Sequence, residues 1–245
     1  MTEWFETAFG EEYLKLYAHR DADEAQQAVD LILKATGLGA GALVIDAPCG
    51  GGRHMHAFEK RGLRTAGFDL SRVLLREAAS LAGQKGRIAR ADLRHLPFKK
   101  AKCDLLVNLF SSLGYFDSDE TNLAVLSELA ALVRPGGWMV VDFLHSDFLR
   151  RNLQKESHQQ LESGAHVTSY RAIEGIPPRV NKRIVINQPE AESLEFRESV
   201  RLFSPDELRQ ALAKNGVHIQ AEFGSYEGNE FTADSPRIIL VGRRE

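Results

Sequence analysis

From residue 42 to residue 144 short apolar runs alternate with helical stretches, and that beat leaves few folds open to the chain. "ALVIDA", "TAGFDL", "GRIARADL", "CDLLVNLF" and "WMVVDFL" read as strands. "RHMHAFEKRG", "SRVLLREAASLAG" and "DETNLAVLSELAALVRPGG" read as helices between them, with Ser71 as a cap and Pro135 and two glycines as a stop. Parallel neighbours need crossover connections, so strands separated by helices predict a parallel sheet covered on both faces. The expected class is doubly wound α/β.

The flanks add to this core. Residues 1–36 read as an N-terminal helical cap: Trp4, Phe5, Phe9, Tyr13, Leu16 and Tyr17 recur at three- and four-residue steps, and a second run follows from Asp21 to Lys34. Residues 145–203 break the beat, because "AHVTSYRAIEG", "RVNKRIVINQ" and "LEFRESVRLF" alternate in the manner of strands joined by turns with Pro177, Pro178 and Pro189. They predict an antiparallel β insertion after the fifth strand, used as a lid or as the contact of a homodimer. "SPDELRQALAKNG" restores a helix capped by Ser204, with Pro205 at its first position, and "VHIQAEFG" and "RIILVGR" complete a mostly parallel seven-stranded sheet. The 245 residues are expected to form one domain.

Composition narrows the partners. A formal charge of −3 gives no general attraction to nucleic acid, and no apolar run approaches the roughly 18 residues of a membrane span. The first twenty residues carry acids and aromatics where an export signal needs a basic start and an apolar stretch. Cys49 and Cys103 have no metal-ligand spacing. A cytoplasmic protein is expected.

Open α/β sheets bind ligands beyond the carboxyl ends of their strands, near the point where strand order reverses. Four strand runs end in or lead to a polar residue there: Asp46, Asp69, Asp92 and Asn108. The first opens "VIDAPCGGGRH". A dinucleotide turn needs a further glycine where Arg53, His54 and Met55 follow Gly50, Gly51 and Gly52, and Asp46 would repel a pyrophosphate while attracting an ammonium or a sulfonium. No phosphate-loop lysine follows. Pro48 has a fixed φ and no N–H, so its position must need neither a positive φ nor an amide donor, and close approach falls to Gly50 and Gly52. His54 and His56 stand two apart on a helix and face different ways, so no metal site is expected; Arg53 and His54 should pack or hydrogen-bond near the loop.

At these residues the sequence resembles the class I, Rossmann-like S-adenosylmethionine-dependent methyltransferases, and it is most similar to bacterial small-molecule members. The resemblance runs from about residue 10 through "GFDLS", "ADLRHLPF", "NLFSSLGYF", "LVRPGGWMVVDF" and "DSPRIILVGRR". It implies that Asp46, Ala47, Gly50 and Gly52 lie by the methionine tail of the cofactor and that Asp69 accepts both ribose hydroxyls. It further implies Asp92 on the adenine amine, the Leu93 amide on a ring nitrogen, Leu70 on the adenine face, and Asn108 and Leu109 beside the tail and the methyl group. The structural readings are a helix cap for Asp69, a turn residue for Asp92 and a purely structural role for Asn108.

The implied reaction is an in-line transfer of the methyl group to a small-molecule acceptor, where alignment matters most and a base is needed only if the acceptor must lose a proton. Tyr13, Tyr17 and Tyr115 are the candidates for binding the acceptor, and Tyr17 and His145 for catalysis; a packing role for the tyrosines and a solvent-facing loop for His145 are the structural readings. Alternative functions are a protein or RNA methyltransferase, a non-catalytic S-adenosylmethionine-binding protein and, more distantly, a nicotinamide oxidoreductase.

Overall fold

The run "CDLLVNLF" forms β4 (Cys103–Asn108), parallel to β1 (Leu43–Asp46) on one side and to β5 (Val133–Leu144) on the other. The computed structural model describes residues 3–17, 22–81, 87–96, 98–188 and 192–245; Asp21 and Pro189 lie outside them. With β2 (Arg64–Asp69), β3 (Ile88–Arg90), β10 (Val217–Phe223) and β11 (Arg237–Arg244), these strands make a seven-stranded sheet in the order β10-β11-β5-β4-β1-β2-β3. The order reverses between β1 and β4. Only β11 departs from parallel pairing within the core, running against both β5 and β10.

Side-chain alternation divides the central strands between two apolar layers. Leu105, Val107, Val140, Ile239 and Val241 face a cluster with Ala28 and Ile32 of α3 (Ala22–Thr36) and Ala57 and Phe58 of α4 (Arg53–Lys60). Leu106, Met139, Val141, Ile238 and Leu240 face the opposite cluster with Leu126 and Leu129 of α6 (Asp119–Leu132) and Leu208 and Leu212 of α8 (Pro205–Lys214). Strands buried on both faces carry near-continuous apolar runs for this reason. α5 (Arg72–Leu81) follows β2, with Ser71 Oγ accepting the Leu74 amide as the expected cap does.

Three elements differ from the sequence reading. The N-terminal periodicity is interrupted at Phe9 and Gly10, giving α1 (Trp4–Ala8) and α2 (Glu11–Leu16). α6 ends at Leu132, before Pro135, and "VRPGG" belongs to β5, whose pairing with β4 shifts register there. Residues 145–203 hold more than three strands: α7 (Ser146–Asn152) precedes a four-stranded antiparallel sheet, β6 (Glu156–Gln160), β7 (His166–Glu174), β8 (Arg179–Asn187) and β9 (Leu194–Arg201). β6 is an edge strand, "ESHQQ", with no apolar face to announce it. The small sheet packs Val167, Ile184 and Ile186 against Leu16 of α2. No helix among the described residues is long and apolar enough to cross a membrane.

At α8 the Ser204 side chain accepts the Glu207 amide at 3.2 Å while Glu207 accepts the Ser204 amide at 2.7 Å, a complete capping box. Replacing Ser204 with Ala should destabilise the fold by about 1 kcal/mol, read from the urea midpoint with an unchanged slope.

Candidate functional site

The carboxyl ends of β1, β2 and β4 open onto a cavity of about 470 Å³, roofed by α1 and α2. Its floor is the turn after β1. The Ala47–Pro48 peptide is cis, Gly50 and Gly52 have φ of +52° and +80°, and Pro48 itself has neither a positive φ nor an amide to offer. A side-chain carbon on Gly50 would meet nothing within 4 Å, whereas one on Gly52 would come within 2.9 Å of Ala78 in α5. The two glycines therefore do different work: Gly50 lies on the cavity and Gly52, at the cap of α4, lets two helices approach.

Gly50, Asp69, Leu70, Asp92, Leu93 and Leu109 all border this cavity. Asp46, Ala47, Gly52 and Asn108 are not among its lining residues. Asp46 and Asn108 end neighbouring strands at the reversal point and are about 1 % exposed. Asn108 donates to the Ala47 carbonyl at 2.7 Å, yet its Oδ1, like Asp46 Oδ2, has no hydrogen-bond partner. Burial pushes the Asp46 carboxyl up to about 8, against a smaller opposing pull from the Arg53 charge.

Asp69 does more than the sequence reading gave it. One of its oxygens accepts the Gly50 amide at 3.0 Å and the other the Ser71 amide at 2.8 Å, so this carboxylate joins the glycine turn to the start of α5. Burial raises its pKa, while these amide bonds favour the charged form. Asp92 takes up the turn position of its structural reading. Arg94 donates to both of its oxygens, Nε at 3.0 and 3.1 Å and Nη2 at 2.6 Å, and the Arg94 amide adds a bond at 2.9 Å. Burial opposes ionisation of Asp92, but Arg94 outweighs it and the pKa is lowered. Any adenine contact at Asp92 must share an acid that is already paired.

On the other side of the cavity stand Tyr13, Tyr17 and Tyr115. The rings of Tyr13 and Tyr17 are 4.6 Å apart, and Tyr17 Oη donates to Glu198 of β9 at 3.2 Å while accepting from Lys182 of β8. Tyr115 lies on a loop held from outside: the Arg179 guanidinium of β8 donates to the carbonyls of Gly114, Tyr115 and Phe116 at 3.2, 3.3 and 2.9 Å. Burial pushes the Tyr115 phenol up.

The structure places His145 elsewhere. It is about 4 % exposed, its Nδ1 is 2.8 Å from the Ser235 carbonyl, and its ring packs edge-on to Phe231. It faces neither solvent nor the cavity, because the approach of residues 231–236 covers it.

Several polar wall residues received no site role from sequence. His54 is buried at the cavity edge with no partner for Nε2, and burial, then the charges of Arg53 and Arg237, holds its pKa well below the usual histidine value. Arg53 lies 4.0 Å above the Phe110 ring and pairs with Glu24. Phe110 and Ser111 both have left-handed backbones, at φ of +58° and +56°, a conformation that costs non-glycine residues of order 1–3 kcal/mol each. Asp142 of β5 holds them, accepting the Phe110 amide on its side chain at 2.9 Å and the Ser111 amide on its carbonyl at 3.0 Å. Tyr226 and Arg237 bind the same carboxylate at 2.6 and 2.8 Å.

A family model described as a methyltransferase domain matches residues 44–137. The chain is 29 % identical over 139 residues to the dTDP-3-amino-3,4,6-trideoxy-alpha-D-glucopyranose N,N-dimethyltransferase of Streptomyces venezuelae, a match covering 56 % of this chain and 58 % of that one. It is 30 % identical over 174 residues to a malonyl-[acyl-carrier protein] O-methyltransferase of Pseudescherichia vulneris, covering 71 % and 66 %. The chain thus matches less than two thirds of the length of these curated relatives. Among solved structures, an S-adenosylmethionine-dependent methyltransferase from Clostridium acetobutylicum superposes with a TM-score of 0.80 at 17 % identity, covering 95 % of this chain and 96 % of that one.

A buried acid with a raised pKa keeps a proton that the unfolded chain releases. The stability this gives is present below the unfolded value near 4 and is lost as pH rises towards about 8. Asp46→Asn should therefore gain stability relative to the parent protein across that window and level off above it, as read from denaturant midpoints at a series of pH values.

Proposed function

We propose that this chain, which carries a class I, Rossmann-like methyltransferase domain and is related to bacterial small-molecule methyltransferases, moves a methyl group from S-adenosylmethionine to a small-molecule acceptor. The observation that carries the reading is the row of acids at successive strand ends, with Asp46 buried and unpartnered beneath a turn that lacks the dinucleotide glycine spacing. Burial favours the uncharged acid in that place; a cationic ligand draws it to the carboxylate, whereas a pyrophosphate opposes that ionisation.

The residues fit such a cofactor. Gly50, on the cavity, admits the methionine tail, and Asp46, buried behind the turn with Ala47, keeps an unpartnered Oδ2 for its ammonium. Asp69 spends one lone pair of each oxygen on Gly50 and Ser71, and a carboxylate oxygen has a second for a ribose hydroxyl. Leu70 and Leu93 take the adenine, with Asp92 at its amine, and Asn108 and Leu109 border the tail and the methyl group. The cofactor supplies an electrophilic methyl group on a sulfonium.

What the protein adds to the transfer is alignment. Tyr13, Tyr17 and Tyr115 confine the acceptor, and Asp142 fixes the Phe110–Ser111 turn beside it against its own strain. Tyr17, with its oxygen already in a hydrogen-bond chain, is the group best placed to relay a proton from an acceptor that must lose one, receiving it on Oη as its own hydrogen passes to Glu198. The amino sugar and the malonyl thioester in the two relatives' names give the first acceptors to assay.

Calorimetric titration with S-adenosylhomocysteine should give one site, weakened about tenfold or more by Asp69→Asn through loss of a charged hydrogen bond. Transfer of labelled methyl from S-adenosylmethionine to amine, hydroxyl and carboxyl acceptors should then identify the substrate. Binding of NAD with no response to S-adenosylhomocysteine would overturn the assignment.

A further inference from the structure

Lys182 and Glu198 occupy an unexpected face of the small sheet. They are paired directly across β8 and β9, and alternation puts them on the side that carries Ile184, Ile186 and Phe196, the side packed against α2. Both meet the hydroxyl of Tyr17: Lys182 Nζ donates to its oxygen, and the hydroxyl donates to Glu198 Oε1 at 3.2 Å. The same ammonium lies 4.9 Å from the Tyr17 ring centroid. Tyr17 in turn lines the cavity beside Tyr13 and Tyr115.

We infer that Lys182 and Glu198 are positioning residues of the acceptor site, holding the Tyr17 phenol from the antiparallel sheet so that the site is incomplete without that sheet. The inference deepens the methyltransferase reading and takes its meaning from it. A phenol whose hydrogen is directed to a carboxylate and whose oxygen is met by an ammonium has a fixed orientation. It presents its oxygen to an N–H or O–H of the acceptor, and its own hydrogen already points along a path to Glu198. The acceptor class this suits is a small molecule with a polar hydrogen at the atom to be methylated.

Among the described residues, Lys182 from β8 and Glu198 from β9 are charges that meet this phenol, and Tyr13 and Tyr115 line the cavity beside it. Ultraviolet difference titration reads phenol ionisation without any acceptor. Tyr17→Phe should remove one step from the titration of the parent protein. Lys182→Met should move that step to higher pH and Glu198→Gln should move it to lower pH, each by about one unit, because an ammonium favours the phenolate and a carboxylate opposes it. Lys182→Arg, which keeps the charge, should return the step towards its parent position. Shifts in the same direction, or none in either variant, would overturn the inference, since an ammonium and a carboxylate that both hold this hydroxyl must move its ionisation in opposite senses. Should Lys182→Met not fold, Glu198→Gln and Lys182→Arg carry the same test. Titration of the parent protein with S-adenosylhomocysteine reports separately on the methyltransferase reading, so each can fail alone.

Discussion

One carboxylate joins the parts of the cavity that come from separate strands. Asp69 accepts the Gly50 amide on one oxygen and the Ser71 amide on the other, so the turn after β1 and the helix after β2 share a single anchor. A glycine turn with φ of +52° and +80° has little to hold it by packing, because glycine brings no side chain. A charged acceptor of two backbone amides supplies the missing restraint at about 1.5–3 kcal/mol for each bond. The cost is a buried acid, and the raised pKa of Asp69 records it. Asp46, one strand over, is also buried, its Oδ2 has no partner, and its carboxyl is pushed up to about 8.

The wall of the cavity at Phe110 follows a parallel scheme. Left-handed backbone at Phe110 and Ser111 would unwind without support, and Asp142 gives it from the neighbouring strand with both side chain and carbonyl. Tyr226, before β11, and Arg237, at its start, donate to the same Oδ2 while Oδ1 has no partner, and Arg237 also lies 5.1 Å from the Phe110 ring. Strain stored at the edge of the cavity is thus balanced by a polar cluster in the sheet behind it.

Strand ends were legible in the sequence because buried parallel strands are apolar until they reach the ligand face, so Asp46, Asp69 and Asn108 stand out at the ends of their runs. The doubly wound order followed from the same contrast. Edge strand β6 was not legible, since "ESHQQ" faces solvent and carries no period-two pattern. Nor was the early end of α6, where Val133 can serve helix or strand and register with β4 decides. Asp92 shows a different limit: its position was readable, but its partner Arg94, two residues on, becomes one only when the turn brings the guanidinium back. His145 was plausible as a polar residue just past a strand end, and the segment that covers it comes from ninety residues away. Lys182 and Glu198 read as ordinary polar positions of a half-exposed sheet until the sheet is placed over α2.

The clasp between the small sheet and the loop after β4 has a consequence for how chains of this fold diversify. Arg179 grips three successive carbonyls of residues 114–116, and Gly114, at φ of +90°, leaves room for Arg201 where a side-chain carbon would come within 2.7 Å of its carbonyl oxygen. Sheet and loop are therefore one inheritable unit although some sixty residues separate them in sequence. A chimera that exchanges the sheet alone would import a clasp without its matching loop, and recombination that respects the contact must carry residues 110–116 along with 179–201.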